Sequence, residues 1–132
     1  MISRFMLDTD SVSFAIRGQG QVVERVVQHR TTDLCISVVT LAELRYGADL
    51  LRSNRLHALI DRFIRPIQVM PLNDSCTKVY GAIASELTHL GIPIGDLDAL
   101  IAAHALTIDA TLVTNNVKHF SRVPGLRVEN WF

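Results

Sequence analysis

The sequence predicts an α/β fold: a parallel sheet with helices on its faces. Three observations point there. Short apolar runs of strand length recur along the 132 residues, and helix-length segments separate most of them. No repeat, low-complexity tract or Pro/Gly/Ser-rich linker breaks the order, so residues 1–132 read as one domain.

The elements follow in chain order. Arg4–Leu7 is the first strand, and Asp10 or Ser11 can cap a helix beginning near Val12. Leu34–Val38 is the second strand, with Thr40 as N-cap of a helix whose stripe is Leu41, Leu44, Ala48 and Leu51. Ile67–Met70 forms the third. From Asp74 to Leu90, Val79, Ile83, Leu87 and Leu90 share one helical face, and Gly91 with Pro93 stops the helix. Leu97–Ile108 is apolar nearly all round, so it reads as the most buried helix, with Asp96 placed as its cap. Thr111–Thr114 and a weaker Leu126–Glu129 complete the strands.

Composition sets limits on function. Thirteen Lys+Arg balance thirteen Asp+Glu, and 48% of residues are hydrophobic, which argues against a disordered tail and a sequence-nonspecific nucleic-acid coat. It leaves room for a nucleic-acid enzyme. Eleven of the thirteen bases are arginine, with Lys78 and Lys118 the remaining two; arginine forks grip phosphates bidentately and also make ordinary surface pairs. Cys35 and Cys76 sit in apolar surroundings without metal-ligand spacing and read as buried thiols. No apolar run spans a bilayer, and MISRFMLDTD places an arginine and two aspartates where a signal peptide needs its apolar region, so the expected location is the cytoplasm.

Acidic residues fall where a parallel sheet gathers its ligands. Asp8 follows the first strand directly, Glu43 lies early in the helix after the second, Asp96 and Asp98 open the apolar helix, and Asn116 follows TLVT. In such a sheet these places face the crevice beyond the strands' carboxyl ends. Each has a plainer reading too. Thr40 and Glu43 spell a capping box, Asp96 fits an N-cap, and Asp98 complements a helix dipole. Asp8 looks too early to be the best cap and reads best as a crevice carboxylate. At ~5 Å and an effective dielectric of ~20, each pair of like charges costs roughly 3 kcal/mol, so gathered acids call for a cation. Oxygen ligands without His or Cys select Mg²⁺ or Mn²⁺, and metal-dependent phosphodiester cleavage becomes the leading chemistry.

The histidines offer no rival mechanism. His104 lies in the apolar helix and reads as packed, while His29, His57 and His89 sit on polar helical faces. His119, beside Lys118 and soon after Asn116, is the one near substrate. Arg45, Lys118, His119 and Arg122 are the candidate contacts to the phosphates of a nucleic-acid substrate. No G-x-S-x-G, P-loop or G-x-G-x-x-G is present.

Taken together, FMLDTD, TLAELRYGA, PIGDLDALIAAHA and ATLVTNNVKHFSRVPGLRVENW resemble the PIN-domain ribonucleases, specifically the VapC toxins of type II toxin–antitoxin modules, over essentially the whole chain. The resemblance implies a PIN-like three-layer α/β/α fold with a mostly parallel twisted sheet. It matches the family's site to Asp8, Glu43, Asp98 and Asn116, with Asp8 and Asp98 as metal ligands and Thr40, Thr114, Asp10 and Asp96 in supporting places. It further implies Mg²⁺ or Mn²⁺, a metal-activated water and endonucleolytic cleavage leaving a 3′-hydroxyl and a 5′-phosphate. The implied partners are a VapB antitoxin covering the pocket, a second copy in a homodimer, a toxin–antitoxin hetero-oligomer, and operator DNA through the antitoxin alone. GLRVENW resembles members that include cutters of initiator tRNA in the anticodon stem-loop, which makes tRNA the favoured substrate. One departure stands out: the usual LDTN reads LDTD here, so Asp10 either adds an acid near the metal or caps a helix.

That departure raises an alternative. DTDSV fits the D-x-D-x-[TV] loop of haloacid-dehalogenase-like phosphatases, with Asp8 as nucleophile and Asp10 as acid/base. The later G-D-x-x-x-D fails, because position 100 is Leu. A catalytically inert dimeric interaction domain is the other alternative and needs Asp8, Glu43 and Asp98 to be caps or surface charges.

Overall fold

The computed structural model describes residues 4–132. Among them the chain runs β1 (Phe5–Leu7), α1 (Thr9–Arg17), α2 (Val22–Val27), β2 (Leu34–Ser37), α3 (Val38–Leu50), α4 (Asn54–Ile64), β3 (Gln68–Met70), α5 (Asp74–His89), α6 (Asp96–Thr107), β4 (Thr111–Val113), α7 (Val117–Phe120) and β5 (Val128–Glu129). All five strands are parallel, in the order β3-β2-β1-β4-β5. The chain builds outward from β1 through β2 to β3, then restarts at β4 on the other side. That reversal lies between β1 and β4, where a parallel sheet opens a crevice at its carboxyl edge.

Alternation along the strands divides the core in two, as a sheet covered on both faces requires. Met6, Cys35 and Leu112 point to one side, with Ile83 and Leu87 of α5, the alanines of α6 and Phe120. Leu7, Leu34, Ile36 and Val113 point to the other, with Val12, Ala15, Val22, Leu44, Ile60 and Trp131. The result is the expected α/β/α arrangement. Ala102, Ala103 and Ala105 are all fully buried, and small side chains of this kind let α6 lie close beneath the sheet. It is the most buried helix, as its composition predicts.

Helix starts differ from expectation. Ser37, rather than Thr40, caps α3, its hydroxyl accepting from the Val39 amide at 3.1 Å. The helix begins as soon as β2 ends, so Thr40 is carried inside it and is fully buried. The Thr40–Glu43 capping box therefore does not form. Asp8, rather than Asp10 or Ser11, caps α1, accepting from the Ser11 amide at 2.8 Å. Gly95 holds the cap position of α6, and Asp96 is its first residue without a capping bond. Leu51 and Leu90 lie just beyond their helices and are exposed. The sequence reading did not resolve α2, α4 or α7, which are short or broken by charges.

The carboxyl-terminal segment folds back over the first layer. Trp131 is 2% exposed, stacks on His29 at 4.6 Å between ring centroids and meets Phe5 at 5.3 Å. His29 is thus an aromatic packing partner, not a residue of a polar face. Phe132 packs edge-on against Phe14 and covers Gly20, whose φ is +65° and whose absent Cβ would stand 2.7 Å from the Phe132 ring. Gly18 has nearly the same φ, +66°, with nothing near it. Gly18→Ala should cost about 1 kcal/mol through backbone strain alone, and Gly20→Ala more, because Phe132 must also leave Phe14. Urea melts of the two variants check this; equal losses would show that Phe132 contributes nothing.

Candidate active site

Four segments deliver their polar ends to the crevice. Asp8 leaves β1 with its amide donating to the Val113 carbonyl at 3.0 Å, which fixes it between β1 and β4. It is 4% exposed. Ser11 secures it twice: its amide donates to the carboxylate, while its hydroxyl donates to the Val113 carbonyl at 3.0 Å. Thr114, fully buried at the end of β4, hydrogen-bonds Asp8 with its hydroxyl and accepts from the Asn116 amide at 3.0 Å. One threonine thus ties the first acid to the turn that carries the amide.

Glu43 lies in the second turn of α3, where its Oε1 accepts from the Thr9 hydroxyl at 2.6 Å; Thr40 Oγ1 is 3.4 Å from that same hydroxyl. Asp98, in the first turn of α6, meets His119 Nε2 of α7 through Oδ2 at 3.0 Å. Asp8, Thr9, Asp10, Glu43, Asp98, Asn116 and Phe120 line one polar cavity of about 230 Å³.

Its electrostatics are those of acids crowded out of water. Burial raises the Asp8 pKa to about 6, against the lowering effect of Thr114 and Ser11. Burial also raises Glu43, opposed by the Thr9 hydrogen bond and reinforced by Asp98 and Asp10. Asp98 is raised by burial too, opposed by His119 and reinforced by Asp10. Asp10 adds to the repulsion at all three, so the acids sense one common field. A cation relieves it.

The donor chemistry fits a hard divalent ion. Among the described residues, the side-chain donors lining the cavity are carboxylate and amide oxygens and the Thr9 hydroxyl. Among the described residues no three His, Cys, Asp or Glu side chains stand close enough to close a cage. Mg²⁺ suits such a site, because it keeps several waters and takes one or two carboxylates.

A model of the PIN domain family matches residues 5–126. The chain belongs to the PIN-domain family. Within it, the chain is 36% identical over 129 residues to the tRNA(fMet)-specific endonuclease VapC of Salmonella typhimurium, covering 97% of this chain and 98% of the relative. It is 36% identical to Ribonuclease VapC2 of Rickettsia felis, with 96% and 97% covered. Its fold matches the solved DNA-bound VapBC of Salmonella typhimurium with a TM-score of 0.91, at 37% identity and 98% and 99% coverage. The VapBC2 complex of Rickettsia felis bound to a promoter DNA fragment matches at 0.88, with 35% identity and 97% and 98% coverage. This PIN domain is of the VapC kind.

The PIN-domain pocket gathers Asp8, Glu43, Asp98, Asn116 and Asp10, and Thr114 and Thr40 stand just behind it. Asp96 falls outside: it borders a separate hollow with Pro93, Ile94 and Ala84, because two residues along a helix turn a side chain by about 200°, to the face opposite Asp98. Arg45 points to α4, where it pairs with Asp61 and meets His57 Nδ1 at 3.1 Å; His57 in turn meets Asp49 at 2.7 Å. Arg122 donates to the Pro93 carbonyl at 3.3 Å. Lys118 is exposed on α7 and is not among the residues that line the pocket, and His119 is engaged with Asp98.

Sequence reasoning missed Thr9 and Ser11 as functional side chains. Their signal was available, since both are hydroxyls flanking an acid at a strand end. It also missed the buried bond between His104 Nδ1 and Ser37 Oγ, 2.7 Å, which links α6 to the start of α3.

Proposed function

We propose that the chain is a Mg²⁺- or Mn²⁺-dependent endoribonuclease, the toxin of a VapBC module, acting on a structured RNA with tRNA favoured. The carrying observation is the convergence of Asp8, Glu43, Asp98 and Asn116 on one polar cavity from four elements. Asp8 and Asp98 would hold the cation, and Glu43 and Asn116 would face its waters and the phosphate. A divalent ion, when bound, supplies charge neutralisation at the scissile phosphate and a more acidic water. Ser11 and Thr114 keep the Asp8 carboxylate aimed at the cavity, and Thr9 does the same for Glu43. Lys118 stands where a flanking phosphate could be met.

The naming of two relatives as tRNA(fMet)-specific endonucleases supports the initiator-tRNA reading. The solved VapBC relatives, two of them DNA-bound, support a VapB-type antitoxin as partner, a toxin–antitoxin hetero-oligomer, and operator DNA reached through the antitoxin. We extend the homodimer expectation to this chain on the exposed Tyr46, Leu50 and Leu97. Among the described residues no helix is long and apolar enough to cross a membrane, and we place the protein in the cytoplasm.

The test incubates purified protein, freed of antitoxin, with total RNA in Mg²⁺, Mn²⁺ or EDTA. Cleavage should need the metal. Asp10→Asn should retain activity within about tenfold, because Asp10 is exposed at the cavity rim and acts only through its field. A D-x-D phosphatase would be abolished by that change, and undiminished RNA cleavage in EDTA would overturn the metal reading.

A further inference from the structure

We propose that His119 is a positioning residue for Asp98: its Nε2–H holds one carboxylate oxygen so that the other is presented to the divalent cation. The inference rests on the metal-site reading above.

Two observations carry it. The Nε2–Oδ2 separation is 3.0 Å, with the histidine side chain 21% and the aspartate side chain 38% exposed, so the bond is shielded more than an ordinary surface pair. The ring is itself held: it stands edge-on to Phe120 at 5.2 Å and 89°, and Phe120 is 2% exposed and lines the same cavity. A histidine pinned by a buried neighbour orients what it bonds.

Local structure explains why this residue reaches Asp98. α7 is a single turn, closed by the Phe120 amide on the Asn116 carbonyl at 3.2 Å. Asn116 starts the turn at the cavity, and His119 lies three residues on, one turn later. α7 thus places an amide in the pocket and a ring behind the carboxylate opposite. An outer partner of this kind fixes a ligand's rotamer, and its loss typically weakens metal binding 10–100-fold. The same geometry commits the Nε2 of His119 to Asp98 and leaves Nδ1 as the nitrogen with which it could meet a phosphate.

The test is direct Mn²⁺ titration of the full chain without RNA, following free Mn²⁺ by paramagnetic resonance, with thermal melts in EDTA alongside. His119→Phe keeps the ring against Phe120 and removes the donor, and should raise the Mn²⁺ Kd about 10–100-fold. His119→Gln keeps an N–H donor at similar reach and should recover most of that loss; His119→Ala repeats the comparison without a ring. Wild-type affinity in His119→Phe would overturn the proposal, as would equal weakening in Phe and Gln variants that melt early, which marks a packing role. A raised KM for RNA with unchanged Mn²⁺ affinity would make His119 an RNA contact and also overturn it. Failure of the wild type itself to bind Mn²⁺ would instead remove the metal reading beneath it.

Discussion

Asp8→Asn should lose RNA cleavage by on the order of 10³-fold, the rate equivalent of the several kcal/mol that a bound cation supplies, and yet be more stable than the wild type without metal. Asparagine is as good an N-cap as aspartate, so the Ser11 bond survives. What changes is charge. The folded-state pKa of Asp8 is raised from 3.8 to about 6, so between those values the folded protein keeps a proton that the unfolded chain has released. Stability due to this group therefore falls as pH rises from about 4 to 6 and levels off above. At pH 7.5 the ionised side chain costs the metal-free fold ~3 kcal/mol, which the neutral asparagine avoids; at pH 5 that advantage roughly halves. Urea melts in EDTA at both pH values measure it. Saturating Mg²⁺ should then stabilise the wild type and leave the variant unmoved. A variant less stable than the wild type at pH 7.5 would show that Asp8 is a structural charge.

Trp131→Ala should be the most damaging substitution far from the pocket. The ring is buried against His29 and Phe5, carries the Arg25 guanidinium 5.4 Å from its centroid and donates from Nε1 to Glu129 at 3.0 Å. Emptying such a site costs about 3–5 kcal/mol, from a total of ~5–15 kcal/mol for a domain of this size, and should lower Tm by roughly 10–20 °C. Because Trp131 touches none of the pocket residues, cleavage per folded molecule at low temperature should be unchanged. A large drop in that activity would mean that the terminal segment shapes the pocket.

Sheet and core were legible because period-two alternation and apolar runs report burial directly. Met6 and Leu7 point to opposite layers, as a two-sided sheet demands. The acids of the pocket were legible for a different reason: their positions at strand ends and early helical turns follow from topology. Caps were the weak point. Thr40, Asp10 and Asp96 each satisfy a local capping pattern, and in each case the helix starts earlier than that pattern implies: β1 and β2 pass into α1 and α3 almost without a loop, and Gly95 takes the cap of α6. Asp8 escaped the capping reading for the converse reason: it serves as cap and crevice acid at once, two roles that local patterns treat as exclusive. The His119–Asp98 contact joins segments whose proximity only the folded chain reveals.

The strand order also governs when the pocket exists. β1 is synthesised first, but its neighbour β4 and the terminal segment that seals the layer come at the other end of the chain. At about 5–20 residues per second, Asp8 leaves the synthetic machinery roughly 5–20 s before Asn116. A half-made chain has the first acid, then the second, with no Thr114 to hold the first and no α7 to brace Asp98. Asn116 and Phe120, which close the cavity, are thus the last of its lining residues to be made, and a partly synthesised chain carries acids without the pocket that gathers them.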